Sequence, residues 1–171
     1  MRDPLNYNWQ INHFNCVKNV IHFQRGLFIW VFNWTNIPHL GLSIHGLYCD
    51  VTIHGNHVDE PVDKYFRMVN RKNIPTFCIQ LNVQELPKDY HNIFRRTLHK
   101  NETCLSPIKE ALGFEQDQLE TLSDLINILN KEGKISSFIS LQETDLLFLK
   151  SYSKEDVLSL IEKKINYAIG K

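Results

Sequence analysis

The six residues Leu27-Phe28-Ile29-Trp30-Val31-Phe32 are apolar without interruption. An amphipathic strand alternates, whereas an unbroken aromatic and β-branched run of this length fits a strand buried on both faces. Such a strand needs a covering layer on each side, which restricts the chain to a layered fold. A loop at 33–38 follows, in which Pro38 biases Ile37 towards extended geometry. Leu40, Leu42 and Ile44 then alternate with Gly41 and Ser43, and Leu47, Cys49, Val51 and Ile53 alternate on the way back. His45-Gly46 suits a two-residue hairpin turn, because glycine accepts positive φ at little cost. Pairing Ile44 with Leu47 carries the ladder to His39 opposite Thr52, with Asp50 and His54 as diagonal neighbours on the same face.

The remaining chain predicts an α+β domain. Trp9, Phe14, Val17, Val20, Ile21 and Phe23 make a rough helical stripe over 7–24. Val62, Tyr65, Phe66 and Val69 recur at helical spacing, so 60–71 reads as an amphipathic helix. A strand is expected at 76–81, a helix from Pro87 to about Leu98, and a short helix from about Cys104 to Leu112. Gly113-Phe114 offers that helix a glycine C-terminal cap with a following hydrophobic contact. A helix at 119–132, strands at 135–141 and 146–149, and a last helix from Ser153 onwards complete the pattern. At 171 residues the chain is long enough for one domain with a substantial core. The parts expected within that domain are a core at 27–113, a helical N-terminal extension at 1–26 and a C-terminal α/β extension at 114–171.

Nineteen basic and nineteen acidic side chains cancel. That balance removes the general electrostatic case for a nucleic acid or an anionic membrane as partner, and Arg67, Arg71 and Lys72 read as a small solvated patch. The longest apolar run is too short to span a bilayer, and the N-terminus lacks a basic segment followed by an apolar one. The expected location is cytoplasmic. Cysteines 16, 49, 78 and 104 show no CxxC spacing and are expected as reduced thiols, the first three as core residues.

Cys104 stands apart because it falls at the start of a helix. If Thr103 caps that helix, the thiol sits in the first turn, where unpaired N–H groups and the helix dipole favour a thiolate. If Ser106 caps and Pro107 is the first helical residue, Cys104 lies just outside. A thiol at a helix start and His39 at a strand start make a Cys-His pair whose ring needs a third polar group, for which Thr52, Asp50 and His54 all qualify. A weaker alternative is a zinc site on His54-x-x-His57, with Cys49, His45 or Asp50 nearby.

Pro38-His39-Leu40-Gly41-Leu42-Ser43-Ile44 at the opening of a hairpin, followed by Thr103-Cys104-Leu105-Ser106-Pro107-Ile108 heading a helix, resembles the circularly permuted papain-like hydrolases. These are the NlpC-type enzymes whose relatives include the lecithin-retinol acyltransferase group. The resemblance covers about residues 27–113. It implies a permuted papain-like α+β fold, an antiparallel sheet with a central hairpin packed against helices. It also implies a cysteine hydrolase, thiol protease or acyltransferase with Cys104 as nucleophile, His39 as base and Thr52 at the position facing it, His54 being the alternative through a shifted register. The cysteine departs from the Asn-Cys context of the acyltransferase group, since Asn101 lies three residues earlier, and 114–171 has no counterpart. The substrate would be a peptide, lipid or other small molecule with an amide, ester or thioester bond, and no cofactor is implied. The competing expectation is a non-catalytic binding protein on the same shell.

Overall fold

The computed structural model describes residues 7–83, 86–99, 101–114 and 119–169. Its strands are β1 (Tyr7–Ile11), β2 (Asn15–Cys16), β3 (Leu27–Phe32), β4 (His39–Ile44), β5 (Leu47–Thr52), β6 (Gly55–Pro61), β7 (Thr76–Leu81), β8 (Ile135–Ser140) and β9 (Leu147–Lys150). Its helices are α1 (Val62–Lys72), α2 (Tyr90–Arg95), α3 (Leu105–Ala111), α4 (Leu122–Lys131) and α5 (Lys154–Ile169). Seven strands form one sheet in the order β2-β8-β7-β3-β4-β5-β6, and β1 pairs with β9 in a separate ribbon. The α+β class and the central hairpin are therefore as expected.

β3 lies near the middle of the sheet with all six residues buried. Successive side chains point to opposite faces. Leu27, Ile29 and Val31 enter one core with Phe94 of α2, Ile108 of α3 and Ile126 of α4. Phe28, Trp30 and Phe32 enter the other, with Phe23 and the Tyr65, Phe66 and Val69 face of α1. The continuous apolar run thus reflects two cores sharing one strand. The β4–β5 hairpin pairs Ile44 with Leu47 as predicted, and His45 and Gly46 have φ of 48° and 80°, the positive values a type I′ turn requires. At the end of α3, Gly113 takes φ 76°, and the Phe114 N–H donates to the Lys109 carbonyl as Phe114 enters the core.

The structure departs from the sequence pattern in several places. Over 7–24 the chain forms β1, β2 and a short 3-10 turn at Val20–Gln24 instead of a helix. β1 pairs antiparallel with β9 and β2 parallel with β8, so the partners that make these strands lie more than a hundred residues away. Residues 55–61, where the apolar alternation stops, form β6; it closes one edge of the sheet, where a polar strand is at home. Cys16 is exposed, whereas Cys49 and Cys78 are buried as expected. β8, from the 114–171 segment, joins the main sheet beside β7, and β2, from 1–26, lies beside β8. Among the described residues no helix is long and apolar enough to cross a membrane.

Candidate active site

The site is built where β4 begins and β5 ends. His39, the first residue of β4, pairs with Phe32 across the β3–β4 ladder, and the two rings stack at a centroid distance of 6.0 Å. This contact fixes one face of the imidazole. Its Nε2 lies 2.7 Å from Oδ2 of Asp50, a carboxylate on β5 that is only 3% exposed. Two further donors serve the same carboxylate. The Tyr48 hydroxyl donates to Oδ2 at 2.8 Å, and Nδ1 of His57, directly opposite Asp50 on β6, lies 2.6 Å from Oδ1.

Local backbone geometry makes this cluster fit. The β5–β6 register shifts between Tyr48 and Asp50, and Asp59 takes a positive φ of 57°, marking a bulge that re-aims side chains on both strands. Tyr48 crosses directly over Gly41. A Cβ at position 41 would fall 2.1 Å from the Tyr48 hydroxyl oxygen, so glycine is what lets the phenol lie flat against β4 and reach Asp50.

Cys104 lines the same cleft as His39, close enough for its thiol to be among the groups that raise the imidazole pKa. The helix start falls between the two boundaries considered, with Leu105 the first helical residue and Cys104 at the N-cap. Cys104 has helical φ and ψ of −59° and −14°, and the Thr103 hydroxyl accepts from the Leu105 N–H at 3.3 Å. The loop leading to it is tied down by Arg96. That guanidinium donates to both oxygens of Glu102 and to Glu110 on α3, while Glu102 also accepts from the His99 N–H. The Arg96 backbone turns extended at this point, which explains why α2 stops at Arg95 instead of reaching Leu98.

The electrostatics follow from these contacts. Burial by itself would lower the His39 pKa, but hydrogen bonds to Asp50 and Cys104, and the negative charge on each, outweigh it and raise the value to about 10. Burial likewise pushes Asp50 up, yet the His39, His57 and Tyr48 bonds win and hold it below the usual carboxylate range. Burial raises the Cys49 thiol to about 11 and the Cys78 thiol well above its ordinary value, so both are poor nucleophiles at neutral pH.

Of the residues singled out in the sequence, His39 and Cys104 line one cleft. Thr52, the last residue of β5, and His54, in the turn to β6, line the same cleft. The Thr52 hydroxyl donates to the Gly55 carbonyl and accepts from the His54 N–H, so it serves the turn, and Asp50 is the group on the ring. His57 points at Asp50, and the described residues contain no group of three or more His, Cys, Asp or Glu placed to hold a metal ion. Sequence reasoning overlooked Tyr48, His57 as an Asp50 partner, and Arg96. A signal for Tyr48 was available: it lies two residues before Asp50 on the same strand face, opposite a glycine-containing strand.

No protein-family model, curated protein or solved structure matches this chain. The functional reading therefore rests on the geometry.

Proposed function

We propose that the protein is a cysteine-dependent hydrolase or acyltransferase acting on an amide, ester or thioester through an acyl-cysteine. The observation that carries this reading is that a buried carboxylate, Asp50, orients the His39 imidazole at the cleft that the half-buried Cys104 thiol also lines. Tyr48 and His57 act as positioning residues, because their bonds go to Asp50.

In the reaction the Cys104 sulfur, as thiolate beside protonated His39, attacks the carbonyl carbon and the π pair moves to oxygen. The tetrahedral adduct collapses, breaking the bond to the leaving group, which takes the His39 proton. Water or an acceptor alcohol or amine then gives its proton to His39 and attacks the acyl carbon, and the C–S bond breaks to regenerate the thiolate. The Leu105 N–H is already engaged by Thr103, so the Cys104 backbone N–H is the group assigned to the developing oxyanion. The order of parts, histidine at the opening of a hairpin and cysteine later at a helix start, supports kinship with permuted papain-like hydrolases.

The test is alkylation with iodoacetamide at neutral pH, followed residue by residue. Cys104 should react at least about tenfold faster than exposed Cys16, as expected for a thiol activated by its partner. Equal rates at the two positions would end the proposal.

A further inference from the structure

The cleft that opens on Cys104 is mostly apolar and about 790 Å³ in volume. One wall is α5, a helix with no fully buried residue in its described part. Val157, Leu160 and Ile161 of α5 face the cleft and are followed at the next turn by Lys164. The spacing i, i+3, i+4, i+7 puts these four on one helical stripe, so the stripe is apolar for two turns and ends in an ammonium. A second cavity of about 530 Å³ lies beyond His39 and is lined by Asp50, Tyr48, Lys72 and Asn73. His39 and Lys164 border both cavities.

The charge in the second cavity is decided by which groups are already satisfied. Asp50 faces it, but its oxygens are taken by His39, His57 and Tyr48. Glu60 on β6 is bonded to Lys64 and to Tyr65, which lines this cavity. Lys72 ends α1 and Lys164 lies on α5, and no ion pair ties up either ammonium among the described residues. An imidazole that hands a proton to a leaving group thus stands between a mostly apolar chamber on the thiol side, whose lining includes Lys163 and Lys164, and a chamber lined by Lys72 and Lys164.

We infer that Lys164 and Lys72 are specificity-determining residues that select an acyl donor with an apolar acyl group and an anionic leaving group, the acyl part lying along α5 and the anion in the second cavity. This rests on the proposed acyl-cysteine chemistry and extends it to the substrate. An apolar acyl group gains by leaving water against Val157, Leu160 and Ile161. The anion gains from two cations at a partly enclosed rim, where Coulomb attraction exceeds its value in bulk water.

The experiment compares two thioesters of equal shape, S-hexanoyl 3-mercaptopropionate and S-hexanoyl 3-mercaptopropanamide, one anionic and one neutral. The wild-type chain should prefer the anion by roughly five- to tenfold in kcat/KM at low salt, mostly through KM, with the preference shrinking as ionic strength rises. Lys164→Gln with Lys72→Gln should bring the ratio near one, and Lys164→Arg should restore most of it. Both positions are on the surface, so neither change threatens the fold. Rapid iodoacetamide labelling of Cys104 together with a ratio near one in the wild type would overturn this inference and leave the acyl-cysteine reading standing. Labelling of Cys104 no faster than Cys16 would overturn both.

Discussion

Asp50→Asn is the sharpest perturbation of the site. The amide keeps the shape of the carboxylate but carries no charge, and its NH2 group cannot accept. Three hydrogen bonds of 2.6–2.8 Å converge on the native side chain from His39, His57 and Tyr48. A bond to a charged group contributes about 1 kcal/mol more than a neutral one, so losing the charge costs about 3 kcal/mol over three bonds, at the lower end of the range for breaking a buried ion pair. For a domain of this size that lowers the melting temperature by about 6–12 °C. The His39 pKa must also fall from about 10, because a bond and a charge that raise it are gone. Thermal melts at pH 7 and the pH dependence of Cys104 alkylation measure the two effects. With the imidazolium destabilised, turnover should drop by about 10²- to 10⁴-fold, the loss seen when a triad carboxylate becomes an amide. An Asp50→Asn protein with unchanged melting temperature and an unchanged alkaline limb would refute the assignment of Asp50 as the group that orients His39.

The other expectations concern the supports of the site and its pH range. Gly41→Ala places a methyl group 2.1 Å from the Tyr48 hydroxyl and should cost about 1–3 kcal/mol in urea unfolding while cutting activity, because Tyr48 must leave Asp50. Arg96→Ala frees the loop before Cys104, and should lower kcat through misplacement of the thiol with a melting shift of only a few degrees; an unchanged kcat would show that the loop positions itself without Arg96. Stability should follow pH in two steps. The raised His39 contributes fully below about pH 6.5 and loses its contribution as pH climbs to about 10, whereas the depressed Asp50 contributes above about pH 4 and fails as pH drops through its lowered native value. Urea midpoints at pH 5.5, 8 and 10.5 should therefore decline in that order, and His39→Gln should flatten the alkaline decline.

Much of the fold was legible because its signals are local. The unbroken run at 27–32 implied a strand with cores on both faces, and the alternation around His45-Gly46 specified both the turn and the Ile44–Leu47 register. The helical stripe of α1 and the glycine after α3 likewise depend on neighbours a few residues away. The failures are non-local. β1 and β2 exist because β9 and β8 supply partners from the far end of the chain, and β6 is polar because it lies at a sheet edge.

The same division runs through the site. Cys104 and His39 were legible as reactive residue types at the starts of a helix and a strand, and the hairpin pattern put three polar groups within reach of the ring. Sequence alone could not choose among Thr52, His54 and Asp50, since the choice depends on a bulge in the β5–β6 pair and on which hydroxyls and amides are already occupied. Residue order determined the strand, the hairpin and the two candidate reactive groups, because each is written in spacings of one to four residues. Tertiary structure alone decided that Asp50 holds His39, that Tyr48 passes over Gly41 to hold Asp50, and that α5 brings Lys164 to the cleft, because those contacts join side chains whose separation is set by packing.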